Sequence, residues 1–176
     1  MIRLILGGQS SGKSALGLQA LEPPERSVLL VTGKAMDASF RERIIAHQLD
    51  REPAVRVVEV GCELAEALDS LRRREDIEAV LVDALDFWLF LCLESGRDAS
   101  GRRGELLASL AAWRADSPRA RLTLVSSEVS LGPVAADSAT RAFVQELGRL
   151  NQQIASLADE TLLVVAGLAV RLGGAA

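Results

Sequence analysis

The sequence predicts an α/β fold, a doubly wound and mostly parallel sheet with helices on both faces. Three observations predict it. Short apolar runs and amphipathic stretches of helical period alternate from one end of the chain to the other. The runs are near-continuously apolar, as strands buried on both sides must be. The first run ends in a glycine- and serine-rich loop that leads straight into a helical pattern. At 176 residues, with 49% hydrophobic and 25% charged side chains, the chain suits one domain over residues 1–176. That length buries a substantial core without disulfide or metal staples.

The elements follow in order. Residues 1–6 form the first strand and 15–21 the first helix, which Glu22-Pro23-Pro24-Glu25 stops, because proline lacks the amide hydrogen and restrains the residue before it. Residues 27–32 read as a buried strand. A helix over 37–48 is capped by Asp37 and carries Phe40, Ile44 and Ile45 on its apolar face. Residues 55–60 are a third, β-branched strand, and 63–74 a helix with Leu64, Ala67, Leu68 and Leu71 at helical spacing. Residues 79–83 form an apolar strand that ends in a carboxylate. The apolar stretch 87–93 reads as a helix on the sheet whose side chains suit either core or a subunit interface, and a homo-oligomer is expected. Residues 94–104, rich in Gly, Ser and Arg, read as a mobile connection. A helix over 105–115, a strand over 121–125 and an irregular segment over 126–137 come next. A long helix over 138–158, with Phe143, Leu147, Leu150, Ile154 and Leu157 at steps of three and four, precedes a closing strand over 161–166.

Charge and cysteine content narrow the function. A formal net charge of −4 supplies no general attraction to nucleic acid or to an anionic membrane, so neither is expected as a partner. Cys62 and Cys92 have neither metal-ligand spacing nor the count of a disulfide framework, which points to reduced structural thiols and no zinc. The first apolar run is too short for the core of a signal peptide, and no window approaches eighteen uninterrupted apolar residues. A soluble, cytoplasmic protein is expected.

Gly7, Gly8, Gln9, Ser10, Ser11, Gly12, Lys13 and Ser14 fit G-x-x-x-x-G-K-[ST] between a strand and a helix, the context that a phosphate-binding P-loop requires. Small residues let successive backbone N–H groups curl around a phosphate while the helix end adds positive potential. Lys13 would reach the β- and γ-phosphates of ATP or GTP, and the Ser14 hydroxyl would ligate Mg²⁺. A chance Gly/Ser turn is the alternative, disfavoured by both flanks. The fold class is therefore P-loop NTPase-like. Ligands of open α/β sheets lie beyond the carboxyl ends of the strands, so Thr32, Gly33, Lys34, Asp83, Ser127 and Glu128 should converge on the loop. Asp83 is placed either to hold Mg²⁺ or to cap the helix that follows. His47, the one histidine, has Arg43 and Arg51 four residues away on either side. That cluster could hold a triphosphate against a nucleophile, or form a solvated face balanced by Glu42, Asp50 and Glu52.

Several segments together resemble the bifunctional adenosylcobinamide kinase and adenosylcobinamide-phosphate guanylyltransferase family of cobalamin biosynthesis. They are the loop itself; Arg43-Ile44-x-x-His47-x-x-x-Arg51 with Glu59 beyond; Val82-Asp83-x-Leu85-x-x-Trp88-Leu89; Glu128-Val129-x-x-Gly132; and Leu150-Asn151-Gln152 leading to Ala158-Asp159-Glu160 and Leu163-Val164-Val165-Ala166-Gly167. The resemblance implies a kinase that phosphorylates the aminopropanol hydroxyl of the corrinoid. It also implies a nucleotidyltransferase in which the histidine matching His47 attacks the α-phosphate of GTP, forming a GMP-histidine that passes to the phosphorylated corrinoid. Gln48, Leu49, Asp50, Arg51, Glu59, Asp83 and the loop of Thr32, Gly33 and Lys34 are implied as the guanine-nucleotide binders. An imidazole is a competent nucleophile, and cationic neighbours stabilise charge on phosphates. The chain departs from the family pattern at Glu52, Val55, Leu91, Ser127 and Ser130. Two rivals stand beside this reading: a P-loop small-molecule kinase without a covalent intermediate, and a catalytically weakened nucleotide-binding regulatory relative.

Overall fold

A computed structural model describes residues 1–32, 54–96, 98–116, 118–132 and 135–173. Seven strands form one sheet: β1 (Ile2–Gly7), β2 (Ser27–Thr32), β3 (Arg56–Val60), β4 (Ala79–Asp83), β5 (Arg121–Ser127), β6 (Glu160–Val165) and β7 (Leu168–Gly173). Their order is β3-β2-β4-β5-β1-β6-β7, parallel throughout except for the antiparallel β6–β7 pair. The helices among the described residues are α1 (Lys13–Leu18), α2 (Leu64–Arg72), α3 (Leu85–Glu94), α4 (Ala99–Asp116) and α5 (Ser138–Leu157). Asp137 caps α5 by accepting from the Thr140 amide at 2.7 Å. No helix among them is long and apolar enough to cross a membrane.

Strand alternation divides the interior into two layers. Ile2, Leu4 and Leu6 of β1, Val28 and Leu30 of β2, Val80 and Val82 of β4, and Leu122 and Leu124 of β5 pack under α2 to α5, together with the fully buried Trp88 and Trp113. Ile5, Leu29, Leu81 and Val125 face the opposite way, toward Leu16 and Leu18 in the segment of α1 and toward Phe87. Gly17 lets α1 lie close to this second face. A Cβ there would stand 3.0 Å from Val125 Cγ2 and 3.1 Å from Leu81 Cδ1.

The fold matches the expected class, with differences in three segments. The stretch 94–104 is not a connection throughout, because α4 starts at Ala99 and carries Gly101 and Gly104 within it. Each glycine costs a helix about 1 kcal/mol relative to alanine. Burial of Leu106, Leu110 and Trp113 farther along offsets that cost, as do the ion pairs of Arg102 with Glu66 at 2.9 Å and of Arg103 with Glu146. The strand expected over 121–125 continues to Ser127. The strand over 161–166 does not close the sheet, because Ala166 and Gly167, both at positive φ (51° and 79°), turn the chain back into β7. Every residue of β7 is exposed, since neither layer reaches it.

Candidate functional site

The loop after β1 is built from backbone contacts. The Ser11 amide donates to Gly8 O at 3.3 Å, and Leu16 N to Gly12 O at 3.0 Å. Two neighbours hold the loop from outside: Glu128 N donates to Gly7 O at 3.0 Å, and Gly167 N to Ser11 O at 2.9 Å. Gly12 has φ 98°, which L side chains rarely adopt, so glycine is required where the loop enters α1. Gly8, Gln9, Ser10 and Gly12 are exposed, while Ser11 is buried. Lys13, half-buried, folds back so that its Nζ donates to Gly8 O at 3.2 Å. Among the described residues its ammonium bonds this carbonyl alone, which leaves it available to a competing phosphate.

Asp83 lies at the end of β4, two strands from β1, and is buried at 6% exposure. Ser14 Oγ donates to its Oδ1 at 3.1 Å, so the loop's hydroxyl and the strand-end carboxylate meet. Asp83 does not cap the next helix: Ala84 occupies that position, and α3 has no side-chain cap. The oxygens of Ser14 and Asp83 are the hard donors that Mg²⁺ prefers. No group of three or more His, Cys, Asp and Glu that could hold a metal occurs among the described residues, so phosphate and water would have to complete the shell.

Thr32 is fully buried, with its side chain committed to the backbone after β4. Its Oγ1 accepts from Ala84 N at 3.0 Å and donates to Ala84 O. Glu59 and Asp83 both pair with Val31, which places the three in one row across β3, β2 and β4. Two strand spacings, about 10 Å, separate the exposed Glu59 from Asp83. Glu59 therefore stands on the α1 side of the sheet without touching the loop. Gly33, Lys34, His47, Gln48, Leu49, Asp50 and Arg51 lie outside the described residues.

Beyond β5, Ser127 and Glu128 converge on the loop as expected. Gly7 pairs with Ser127 at the last position of the two strands. Two residues that were not read as site candidates join them. Ser127 Oγ donates to Asp86 Oδ2 at 2.8 Å. Asn151 of α5, buried at 5% exposure, accepts from Ser126 Oγ at 2.7 Å and donates to Ser127 O at 3.1 Å. Asp86 carries no signal in the sequence that could have found it, because the step of three residues from Asp83 crosses from β4 into α3.

Two further features lie apart from the loop. A groove of about 750 Å³ runs between α5 and β7 on the multi-helix side, with Leu6 and Thr161 along it and Glu128 and Ser130 at one end. Cys62 and Cys92 are buried and free, and burial, followed by contact with Cys62, pushes the Cys92 thiol up to about 12.

With this geometry in hand, comparison with known proteins is specific. The family described as cobinamide kinase / cobinamide phosphate guanyltransferase matches residues 3–172. The bifunctional adenosylcobalamin biosynthesis protein CobP of Pseudomonas aeruginosa is 35% identical over 174 residues, covering 97% of this chain and 96% of that protein. The bifunctional adenosylcobalamin biosynthesis protein CobU of Escherichia coli is 28% identical, covering 98% of this chain and 99% of its own length. CobU of Salmonella typhimurium is 25% identical at the same two coverages.

Proposed function

The chain belongs to the cobinamide kinase / cobinamide phosphate guanyltransferase family, and we propose that it carries out both reactions at one nucleotide site. It phosphorylates adenosylcobinamide, then transfers GMP from GTP to adenosylcobinamide phosphate through a covalent GMP on His47. The observation that carries this reading is the meeting of Ser14, next to Lys13 in the loop motif, with Asp83 in a chain aligned with the family almost end to end.

In this account the loop from Gly8 to Gly12, exposed except at Ser11, receives the β-phosphate, and Lys13 leaves Gly8 O for the phosphates. Ser14 and Asp83 hold Mg²⁺, whose contribution is to neutralise phosphate charge. The first reaction needs only a bound triphosphate and an oriented hydroxyl. The second needs a nucleophile at the α-phosphate, the role assigned to His47, with Gln48, Leu49, Asp50, Arg51, Glu59 and the segment of Thr32, Gly33 and Lys34 toward the guanine nucleotide. Family membership and the residues themselves support these roles. We also place the enzyme in the cytoplasm as a homo-oligomer. Reduced thiols fit that compartment, and the exposed Leu168, Val170 and Leu172 of β7 fit contact between copies.

Intact-mass measurement after incubation with GTP and Mg²⁺ tests the proposal. One GMP per chain is expected. It should be labile to acid and stable to base, as a phosphorus–nitrogen bond is, and absent from His47→Ala. Wild-type protein that makes the GDP-linked corrinoid without ever carrying the adduct would overturn the covalent route and leave a P-loop kinase reading.

A further inference from the structure

We propose that Asp86 accepts the proton of the substrate hydroxyl in the phosphoryl-transfer step. The inference rests on the loop being the nucleotide site, and three observations carry it. The first is position. β5 runs two residues past the row in which Val125 pairs with Asp83, ending where Ser127 pairs with Gly7, the first residue of the loop. Val125 faces the α1 side, and Ser126 faces away from it to reach Asn151. Alternation therefore returns Ser127 to the α1 side. By donating to Oδ2 at 2.8 Å, Ser127 draws the Asp86 carboxylate to the same side of the sheet as Asp83 and the loop.

The second observation is an incomplete set of partners. Asp86 Oδ1 is shielded from solvent and has no hydrogen-bond donor among the described residues. A carboxylate oxygen withdrawn from water costs more than a neutral polar atom unless a donor reaches it. Asp86 as a whole is half-buried, and the step requires its side chain to rotate so that this oxygen meets the substrate hydroxyl. The third is that its structural duties, an acid in the first turn of α3 and an acceptor for Ser127, leave Oδ1 unused. Asp86 does not cap α3, whose cap has no side-chain bond, and no Arg or Lys among the described residues pairs with it. A single free acceptor suits one hydroxyl donor, where a cation would call for several oxygens.

The step balances. The substrate hydroxyl oxygen forms a bond to the γ-phosphorus, and the bond from that phosphorus to the β,γ-bridging oxygen breaks, its electron pair leaving with the nucleoside diphosphate. The hydroxyl proton passes to Asp86 Oδ1 and from there to solvent. Ser127 is a positioning residue for Asp86, and Asn151 fixes Ser127 in turn through its carbonyl.

The test uses the full chain with adenosylcobinamide, ATP or GTP, and Mg²⁺. Asp86→Asn should lower kcat for corrinoid phosphorylation about 10²- to 10⁴-fold, the span of general-base contributions. The nucleotide KM and the labelling of the protein by GTP should stay within roughly threefold of wild type, because neither depends on deprotonating the hydroxyl. Asp86→Glu should recover part of the loss. Ser127→Ala should lower kcat without moving the nucleotide KM, and Ser127→Thr should restore it. A folded Asp86→Asn enzyme with wild-type kcat overturns the inference, as does one in which nucleotide binding falls in parallel. If Asp86→Asn does not fold, an unchanged kcat in Ser127→Ala overturns it. Wild-type protein that binds no GTP overturns the nucleotide-site reading, and this inference with it.

Discussion

The two faces of the sheet are made by the same strands and share almost nothing in chemistry. Toward α2 to α5, β4 presents Val80 and Val82, β5 presents Leu122 and Leu124, and two tryptophans close the layer. Toward α1 the same strands present Leu81 and Val125 in mid-strand, then Asp83 and Ser127 at their carboxyl ends. A strand therefore packs with one parity of its residues and does chemistry with the other, and it keeps the two apart by position along its length. A slip of one residue would exchange the parities, driving Asp83 into the apolar layer.

Mutations can break this comparison from either side. The largest effect on stability belongs to the multi-helix face: Trp88→Ala removes a fully buried indole and its bond to Cys62 O at 3.2 Å, and should cost about 3–5 kcal/mol in denaturant unfolding. On the other side, Lys13→Ala should lower turnover of both reactions roughly 10²- to 10³-fold, because a charge that acts in the transition state is lost. Its melting temperature should stay near wild type, since among the described residues Lys13 bonds a loop carbonyl alone. An unstable Lys13→Ala protein would blur the division between packing and chemistry.

Smaller effects sharpen it. Gly17→Ala places a methyl at 3.0 Å from Val125 Cγ2, so overpacking should destabilise by about 1–3 kcal/mol despite alanine's better helix propensity. A gain in unfolding free energy would show that the thin face is loosely packed. Asp83→Asn should shift the Mg²⁺ titration of activity more than nucleotide affinity measured without metal; coincident metal titrations would make Asp83 structural. Cys92 has the mildest consequence. Its pKa is raised in the folded chain to about 12, so its contribution is fully present below the ordinary thiol value and is lost as pH climbs from there toward 12. Denaturation midpoints should fall over that alkaline window in wild type and fall less in Cys92→Ala.

The sequence was most legible where one property dominates. The runs at β1, β2 and β4 are apolar on both parities, and the loop motif states its own backbone requirement. Two elements were hidden for physical reasons. The start of α4 carries Gly101, Arg102, Arg103 and Gly104, loop residues by propensity, and its helix depends on Glu66 and Glu146 of distant elements. The edge strand β7 is exposed throughout and has no buried parity to announce it. Its clue was the Ala166-Gly167 pair between two apolar runs. In the site, Ser14, Asp83 and Glu128 could be read from motif and strand end. Asp86 and Asn151 could not, because their importance arises only when β4, β5 and α5 are brought side by side.

The fold of Lys13 over its own loop has a practical side. The chain contains two lysines, Lys13 and Lys34, and its remaining side-chain positive charge is carried by arginine. Lys13 opens α1 just after the loop that follows β1, with its ammonium on Gly8 O, and Lys34 follows β2 by two residues. Amine-directed reagents, whether acylating dyes, cross-linkers or resin esters, thus have no decoy among the side chains elsewhere. Immobilising this protein through lysine would tether it by the segments that follow β1 and β2 in sequence, so attachment through an engineered surface thiol or an affinity tag is the chemistry that leaves the molecule open.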